Sequence, residues 1–529
     1  MNKLEYIVKL ISISSLIFYG SYSEAQATGT AELPVKTNLE IADLEAIDLG
    51  SKDLTIPKTV AEVAQARANG AATLLAQADP VVLDELDKLA PNPDDLAIPT
   101  TTEEVTIDLK EPITLEQAIQ LALTNNRDRK EAVLSLDRAH KELRQARAAL
   151  YPTLALGANL QNSDNAANNR QEELFNGAAS IDSTTGESTT TFNGDLTLSY
   201  NVFNGGARGA DIRRAKKVVE FNELDVARIT EDVTFETKNN YYSLQDSESQ
   251  VRIQESAVDD AEQTLKDARL LEQAGLGTRF DVLRAEVELA NAQQNLITAF
   301  ANRDSARRQL VETLSLGQKV DIQTADEVTK RGTWDFSLEE SIITAYGNRV
   351  ELEQFLVNRE INKEQKQVAL GQIRPTVSVF GQLDALDNLD DDVDLTTGYT
   401  VGAQLRWTIF DGGSAQAIAR QEDIDVAIVE NDFANQQNLV RLEVEQAFFG
   451  LKANEQNIGT AEKAVDLAEE SLRLARLRFQ AGVGTQTDVI EAQTELTTAR
   501  GNLLTAIINY NQSLNQLQRA VTGESEPAI

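Results

Sequence analysis

Four stretches of the chain alternate apolar and polar residues with a period of two, which is typical of strands with one apolar and one polar face. They fall in two pairs, and each is about 8 to 12 residues long, close to the length of a tilted membrane-spanning strand. An ordinary half-buried hairpin would show the same alternation. The apolar positions are Leu154, Leu156, Ala158 and Leu160; Phe192, Leu196, Leu198, Tyr200 and Val202; Val377, Val379 and Leu383; and Tyr399, Val401, Ala403, Leu405, Trp407 and Ile409.

After each pair of strands the apolar period changes to seven, with one large position and one alanine position in each heptad. No proline lies between Pro152 and Pro375 or between Pro375 and Pro527, so very long helices are permitted. A helix from Gly206 to about Gln273 would be ~100 Å long. The pattern predicts antiparallel helices in close contact. The large positions include Leu244, Val251, Val258 and Leu265, then Val282, Leu289 and Leu296, then Leu451, Ile458, Val465, Leu472 and Phe479, then Val489, Leu496, Leu503, Tyr510 and Leu517.

The chain also repeats itself. Leu115 and Pro152 recur 223 positions later as Leu338 and Pro375. After an insertion in the first copy the offset falls to 207: residues 203–206 (FNGG) match 410–413 (FDGG), and 274–278 (AGLGT) match 481–485 (AGVGT). The sequence therefore predicts two tandem repeats, 113–316 and 336–523, joined by a linker at 317–335 and followed by a tail at 524–529.

The segments before the repeats differ in composition. Residues 1–27 resemble a signal peptide, because Lys3 and Lys9 accompany an apolar stretch that ends before Ala25-Gln26-Ala27. Residues 28–112 hold seven of the ten prolines and 17 acids against 6 bases, which indicates an extended acidic segment with a helix at about 60–78.

Four strands are too few to close a barrel, and an open sheet edge is not tolerated in lipid. Several copies of the chain would have to share one barrel, with eight strands from two copies or twelve from three. Side chains fill an eight-stranded barrel, so three copies are favoured if the product is a pore.

The paired strands, the junctions at 203–206 and 410–413 and the turns at 274–282 and 481–489 resemble those of the TolC-like outer-membrane factors over about residues 113–523. The resemblance implies a mainly α fold with a small β part: a homotrimer whose shared 12-stranded β-barrel lies in outer-membrane lipid and continues as a periplasmic α-helical barrel. It implies an exit duct of a tripartite efflux pump or type I secretion system in a Gram-negative-type cell. A periplasmic adaptor protein would connect this duct to an inner-membrane transporter.

The resemblance also assigns candidate residues. The turns would form adaptor-docking tips, although an αL turn between helices needs their glycines in any case. A periplasmic gate that selects for cations would hold rings of acids, although helix capping also explains the aspartates. The family often has a latch arginine where this chain has Gln486, while the first repeat has Arg279, so the latch is expected to differ. The candidates are Gly275, Leu276, Gly277, Thr278, Gly482, Val483, Gly484 and Thr485 at the tips, Asp281, Asp488 and Glu491 at the gate, and Tyr200, Phe203, Trp407 and Phe410 at the membrane interface.

Composition narrows the function further. The chain has a net charge of −35, no Cys and one His, His140. These counts argue against nucleic-acid binding, thiolate chemistry, a Cys-based metal site and a His-dependent catalytic triad. We expect no enzyme activity, no cofactor and no metal site. An acidic loop at 384–394 is more typical of a solvated loop than of a cation site. The alternative to a duct is a coiled-coil envelope scaffold or adaptor without a pore.

Overall fold

The computed structural model describes residues 98–107, 109–164, 189–317, 319–390 and 393–521. The predicted signal peptide, most of the acidic extension with its helix at 60–78, the tail at 524–529 and the loop residues Asp391 and Asp392 lie outside these ranges. The described chain forms two compact units. A strand unit comprises 153–199 and 379–402, and a helical unit comprises the remainder.

The same order of elements, two helices followed by two strands and two long helices, occurs twice along the described chain. The elements are β1 (Leu109–Ile113), α1 (Leu115–Asn125), α2 (Arg127–Ala148), β2 (Thr153–Ser163), β3 (Thr189–Asn204), α3 (Ala207–Gln273), α4 (Arg279–Thr313), β4 (Val320–Thr324), α5 (Leu338–Asn348), α6 (Val350–Gly371), β5 (Thr376–Asn388), β6 (Thr396–Arg406), α7 (Ser414–Gln480) and α8 (Gln486–Val521).

In the strand unit, four strands form one sheet in the order β2-β3-β5-β6. β2 and β3 are antiparallel, and their register places apolar residues opposite apolar residues, as in the pairs Leu154↔Leu198 and Leu156↔Leu196. The other face pairs polar residues, such as Asn159↔Asn193. The predicted alternation is therefore confirmed for this hairpin.

The lengths of two strands and the end of a third differ from the prediction. β3 has 16 residues and β5 has 13, both longer than expected. β6 ends at Arg406, so Trp407 and Ile409, which continue its alternation, lie beyond the strand. Trp407 instead donates a hydrogen bond from Nε1 to the Ile373 carbonyl at 3.1 Å, and this contact fixes the chain as it leaves the sheet.

In the helical unit, α3 and α7 each have 67 residues, and the predicted helix to Gln273 is confirmed. The contacts give two four-helix layers that follow each other along α3 and α7 and share these two helices. One has the order α4-α3-α8-α7, and the other has the order α2-α3-α6-α7. The predicted heptads form the seams, as where Leu265 and Ala268 pack against Val282 and Ala285. None of the helices in the described ranges has the length and apolar content needed to cross a membrane.

A short parallel pair, β1 with β4, packs against α3 and α4. The Tyr241 hydroxyl on α3 donates to the Ile113 carbonyl at 3.0 Å, and Gln245 donates to the Asp326 carbonyl at 2.8 Å. Asp321 of β4 is buried and forms a salt bridge with Arg307 at 3.2 Å. The predicted linker is therefore part of the packed unit.

A cluster of charged side chains joins α8 to α3 and α6. Arg519 on α8 lies 2.8 Å from Asp232, 2.7 Å from Glu351 and 3.3 Å from Glu231. Arg349 approaches Glu351 from the other side at 3.0 Å. Burial would raise the pKa of Glu351, but the charges of Arg519 and Arg349 outweigh it and lower the pKa to about 2. We call these five residues the Arg519 cluster.

Candidate functional site: the two helical tips

The turns at the ends of α3 and α7 are built alike. The first glycine of each turn, Gly275 or Gly482, has a left-handed backbone with φ of +72° or +73°. The next two amides donate back into the helix: Leu276 and Gly277 to the Leu271 carbonyl, at 2.9 and 3.0 Å, with the same pattern in the second turn. This is a helix-ending motif that favours glycine because a Cβ is strained in that conformation.

The second glycine of each turn is required by close packing. A Cβ on Gly277 would lie 3.1 Å from the Leu271 Cβ, and one on Gly484 would lie 3.0 Å from the Arg478 Cβ. The spacing of the two glycines therefore follows from a tight reversal between antiparallel helices. This explanation is independent of any docking role.

Each helix that leaves a tip begins with a capping box. Thr278 and Asp281 cap α4, where the Thr278 amide donates to Asp281 Oδ2 at 3.0 Å and the Asp281 amide donates to Thr278 Oγ1 at 3.3 Å. Thr485 and Asp488 repeat these bonds in α8, at 3.0 and 3.2 Å. The bond from the Thr485 amide lowers the pKa of Asp488 below its ordinary value. Both aspartates therefore have a capping role in the structure.

The apex of each tip presents an apolar side chain to solvent. Leu276 is 80% exposed and Val483 is 70% exposed. Glu491, one turn beyond the cap of α8, is also exposed. In the first repeat the corresponding residue is Arg284, whose Nη1 donates to Thr487 Oγ1 at 2.7 Å and so connects the two tips.

Sequence reasoning missed a second set of contacts near the tips, which connects α3 to the second repeat. Gln493 Nε2 donates to the Asp260 carbonyl at 3.1 Å and to Thr264 Oγ1 at 2.9 Å, and Arg476 Nη2 lies 2.7 Å from Asp260 Oδ1. The spacing of Gln486 and Gln493 by one heptad was the available signal. We call Asp260, Thr264, Arg476 and Gln493 the tip bridge.

The position of the expected latch holds Gln486, and the equivalent position of the first repeat holds Arg279. Gln486 is buried, with 2% of its surface exposed, and neither amide atom has a hydrogen-bond partner among the described residues. Arg279 in the first repeat lies 3.9 Å from Glu272 of its own hairpin.

The strand-to-helix junctions also have a clear structural cause. Asp411 accepts hydrogen bonds from the Gly413 and Ala415 amides at 2.9 and 2.8 Å, which caps α7. Gly412 and Gly413 have φ of +74° and +89°. Near these junctions, the described chain presents Phe203, Trp407 and Phe410 to solvent, while the Arg208 guanidinium lies 5.7 Å from the centroid of the Tyr200 ring.

Two 67-residue helices joined to a small four-stranded sheet give this chain the fold of solved outer-membrane channels. The chain belongs to the outer membrane efflux protein family, which matches residues 118–316 and 346–523. The proteins it resembles are channel proteins rather than enzymes, and the scaffold alternative is not favoured.

Individual relatives have low sequence identity to this chain. The cobalt-zinc-cadmium resistance protein CzcC of Cupriavidus metallidurans is 25% identical over 428 residues, which is 78% of this chain and 88% of that protein. The pyoverdine export outer membrane protein OpmQ of Pseudomonas aeruginosa is 24% identical over 73% of this chain and 80% of its own. The outer membrane channel CmeC of Campylobacter jejuni has the same fold, with a TM-score of 0.66, 17% identity and coverage of 82% of this chain and 94% of that structure.

Proposed function

We propose that three copies of this chain form a passive exit duct in the outer membrane of a Gram-negative-type cell, as two tandem repeats per chain would allow. A 12-stranded barrel would cross the membrane and twelve long helices would continue the duct through the periplasm. An adaptor protein at the tips would connect it to an inner-membrane transporter of an efflux pump or type I secretion system. The relatives CzcC and OpmQ are named for cobalt-zinc-cadmium resistance and for pyoverdine export, so these relatives do not share one cargo.

The observation that carries this proposal is the surface of the outer helices in the α4-α3-α8-α7 layer. α7 has an apolar stripe along its length, which faces away from its buried seam because the residues repeat at the helical period. α4 has a similar stripe on its outer face. The stripe residues are Ile424, Ile428, Leu439, Leu442, Phe449, Leu467 and Leu474 on α7, and Phe280, Leu283, Val287 and Ile297 on α4.

The stripe on α4 and the part of the α7 stripe beside α8, which comprises Phe449, Leu467 and Leu474, lie at opposite edges of one layer. α7 of one copy can therefore cover α4 of the next. Such head-to-tail contacts produce a closed ring when the rotation from one copy to the next closes, as it would with three copies. The sheet has the same property, since its edge strands β2 and β6 have no further neighbour in the described sheet. Both edges therefore support an assembly that closes on itself.

The tips are the proposed adaptor-docking sites. Leu276 and Val483 are exposed apolar side chains on rigid, hydrogen-bonded turns, which suits them to anchor in a partner. The expected partner is the hairpin of a periplasmic adaptor. Gly275, Gly277, Gly482 and Gly484 would shape the turns, and Thr278 and Thr485 would cap the helices that follow.

The proposed gate is a ring of acids from Asp488 and Glu491, three of each in the trimer, with Asp281 near the same level. Asp488 keeps one carboxylate oxygen in its cap, whereas Glu491 is exposed and has no acid counterpart in the first repeat. A ring of carboxylates raises the local concentration of cations. The aromatic residues Tyr200, Phe203, Trp407 and Phe410 would lie at the membrane interface.

Ion selectivity in planar bilayers tests this proposal. The double variant Asp488→Asn with Glu491→Gln is expected to lower the preference of the channel for cations, because six carboxylates leave the entrance. Glu327→Gln, an exposed acid of the linker, is the control for a change of charge away from the passage. Equal selectivity in the wild-type protein and the double variant would contradict the gate, and a protein that stays monodisperse without detergent and forms no channel would contradict the duct.

A further inference from the structure

Helix α8 contains an uncharged half within a strongly charged chain. From Gly501 to Gln518 it has no Asp, Glu, Lys or Arg, although 25% of the residues of the chain are charged. Arg500 and Arg519 flank this segment on both sides. Its polar residues are instead amides and hydroxyls, namely Asn502, Thr505, Asn509, Tyr510, Asn511, Gln512, Ser513, Asn515, Gln516 and Gln518.

Part of this segment lines a groove of about 310 Å³ between three long helices. This volume lies at the lower end of the range for small-molecule sites. We call it the amide groove. It is lined by Phe235 and Asn239 of α3, Asn454 of α7, and Asn509, Gln512, Ser513 and Gln516 of α8.

Some of these amides are fixed and others are available. Asn454 Nδ2 donates to Ser513 Oγ at 2.8 Å, and Gln512 Nε2 donates to Ser243 Oγ at 3.3 Å, which holds the walls together. The side chains of Asn509 and Gln516 are exposed and make no hydrogen bond within the described residues. The groove therefore has a fixed frame and two amides that can bind a ligand.

The amide groove opens on the face of α8 opposite the linker. The Tyr510 hydroxyl donates to the Gly332 carbonyl at 3.0 Å, and Asn511 donates to the Thr329 carbonyl at 2.9 Å. At about 100° per residue, Asn509, Gln512 and Gln516 lie on the other side of the helix. In the proposed trimer the linker at 317–335 must lie on the outer surface of the helical ring, because on the inner surface it would fill the passage. The groove then faces the duct.

We propose that the amide groove binds uncharged polyhydroxylated solutes, such as sugars, during their passage through the duct. This inference rests on the proposed function. A side-chain amide offers one acceptor and two donors, which match hydroxyls that both donate and accept. The Phe235 ring adds an apolar surface for the carbon face of a sugar. The lining residues carry no charge, so an ion would have no charged partner in the groove.

The test is the interruption of channel current by maltotriose in planar bilayers containing the full-length protein. Polyethylene glycol of the same hydrodynamic size is the control probe, because its ether oxygens accept but do not donate. We expect maltotriose to reduce the current more than the polymer does. Asn509→Ala with Gln516→Ala should lower the apparent association constant roughly tenfold, as expected for two lost hydrogen bonds.

Asn502→Ala is the matched control variant, since Asn502 is exposed one heptad before Asn509 and outside the groove. It should leave the association constant unchanged. An equal effect of maltotriose and polymer, or an equal association constant in the double variant, would overturn the inference.

Equilibrium dialysis of labelled maltotriose against the detergent-purified protein distinguishes failure of the groove from failure of the duct. Specific binding that the double variant loses, in a protein that forms no channel, would overturn the proposed duct and leave the groove as a binding site. Channel activity without specific binding would overturn the groove and leave the duct.

Discussion

The inner and outer helices of the α4-α3-α8-α7 layer differ in where their apolar side chains lie. Within the described residues, α8 exposes no large apolar side chain and α3 exposes only Leu270, whereas α7 exposes eight and α4 exposes four. The apolar side chains of the inner helices are covered by contacts within one chain. The outer helices have a second apolar face that one chain leaves uncovered, as expected for the proposed assembly of several copies.

The largest effect should come from the inner side of this comparison, at the Arg519 cluster. Arg519→Ala removes this partner from Glu351 and Glu231, whose side chains are only 16% and 11% exposed, which should cost ~3 kcal/mol of unfolding free energy. Arg500→Ala is the control, because its pair with Glu469 is exposed at the surface and should contribute ~0–1 kcal/mol. Denaturant unfolding in detergent measures both. Similar losses in the two variants would show that burial does not decide the value of these pairs.

The outer side should respond through assembly instead. Leu467→Glu changes an apolar side chain that is 73% exposed in one chain, so the chain should fold normally. In a ring it would bury an unpaired carboxylate at each interface, at a cost of about 3 kcal/mol or more. Sedimentation should therefore show loss of the trimer. Leu356→Glu changes an exposed position on α6, an inner helix of the α2-α3-α6-α7 layer, and should leave the trimer intact. Dissociation of the trimer by this control would show that the outer and inner helices do not differ in their role in assembly.

The Arg519 cluster also predicts a pH dependence. Its arginines lower the pKa of Glu351 from 4.5 to about 2, so the carboxylate stabilises the fold above pH 4.5. This contribution should be lost as the pH falls from about 4.5 towards 2. Unfolding measurements across that window should show a smaller change in Arg519→Ala than in the wild-type protein. The same slope in both proteins would be inconsistent with the charge contacts seen here.

The smallest effect is expected at two glycines, Gly482 of the second tip and Gly459 inside α7, which should respond with opposite signs. Gly482→Ala places a Cβ at a φ of +73° and should destabilise the fold by ~1 kcal/mol. Gly459→Ala lies inside the helix, where a Cβ would meet nothing within 4 Å, and should stabilise the fold by ~0.5–1 kcal/mol. Thermal unfolding compares the two. A Gly482→Ala variant that is as stable as Gly459→Ala would contradict the described turn.

Local periodicity predicted much of the inner structure. The heptads of α3 and α4 are the buried seams, and the threonine and aspartate after each tip are the observed caps. The stripe on α7 was not identified because its residues share the helix with a stronger buried pattern, which includes Leu451 and Ile458. One helix with two apolar faces is easily interpreted as a helix with one.

The features that sequence reasoning missed depend on contacts between distant residues. β1 is only five residues long and pairs with β4 more than 200 positions away, so neither strand shows a clear pattern of its own. Gln493 contacts Asp260 across 233 positions. The heptad spacing of Gln486 and Gln493 marks two polar positions in a seam, but it does not identify their partners, because the contact exists only after the two hairpins have packed.

In the proposed trimer, α4 of one copy contacts α7 of the next in a ring of three. The chain has no cysteine, so Val287→Cys with Leu474→Cys introduces its only two thiols, each on an outer stripe about two turns from a tip. Mild oxidation of the purified protein should give covalent products that end at three chains. Products that stay at one chain, stop at two or extend past three would contradict the ring.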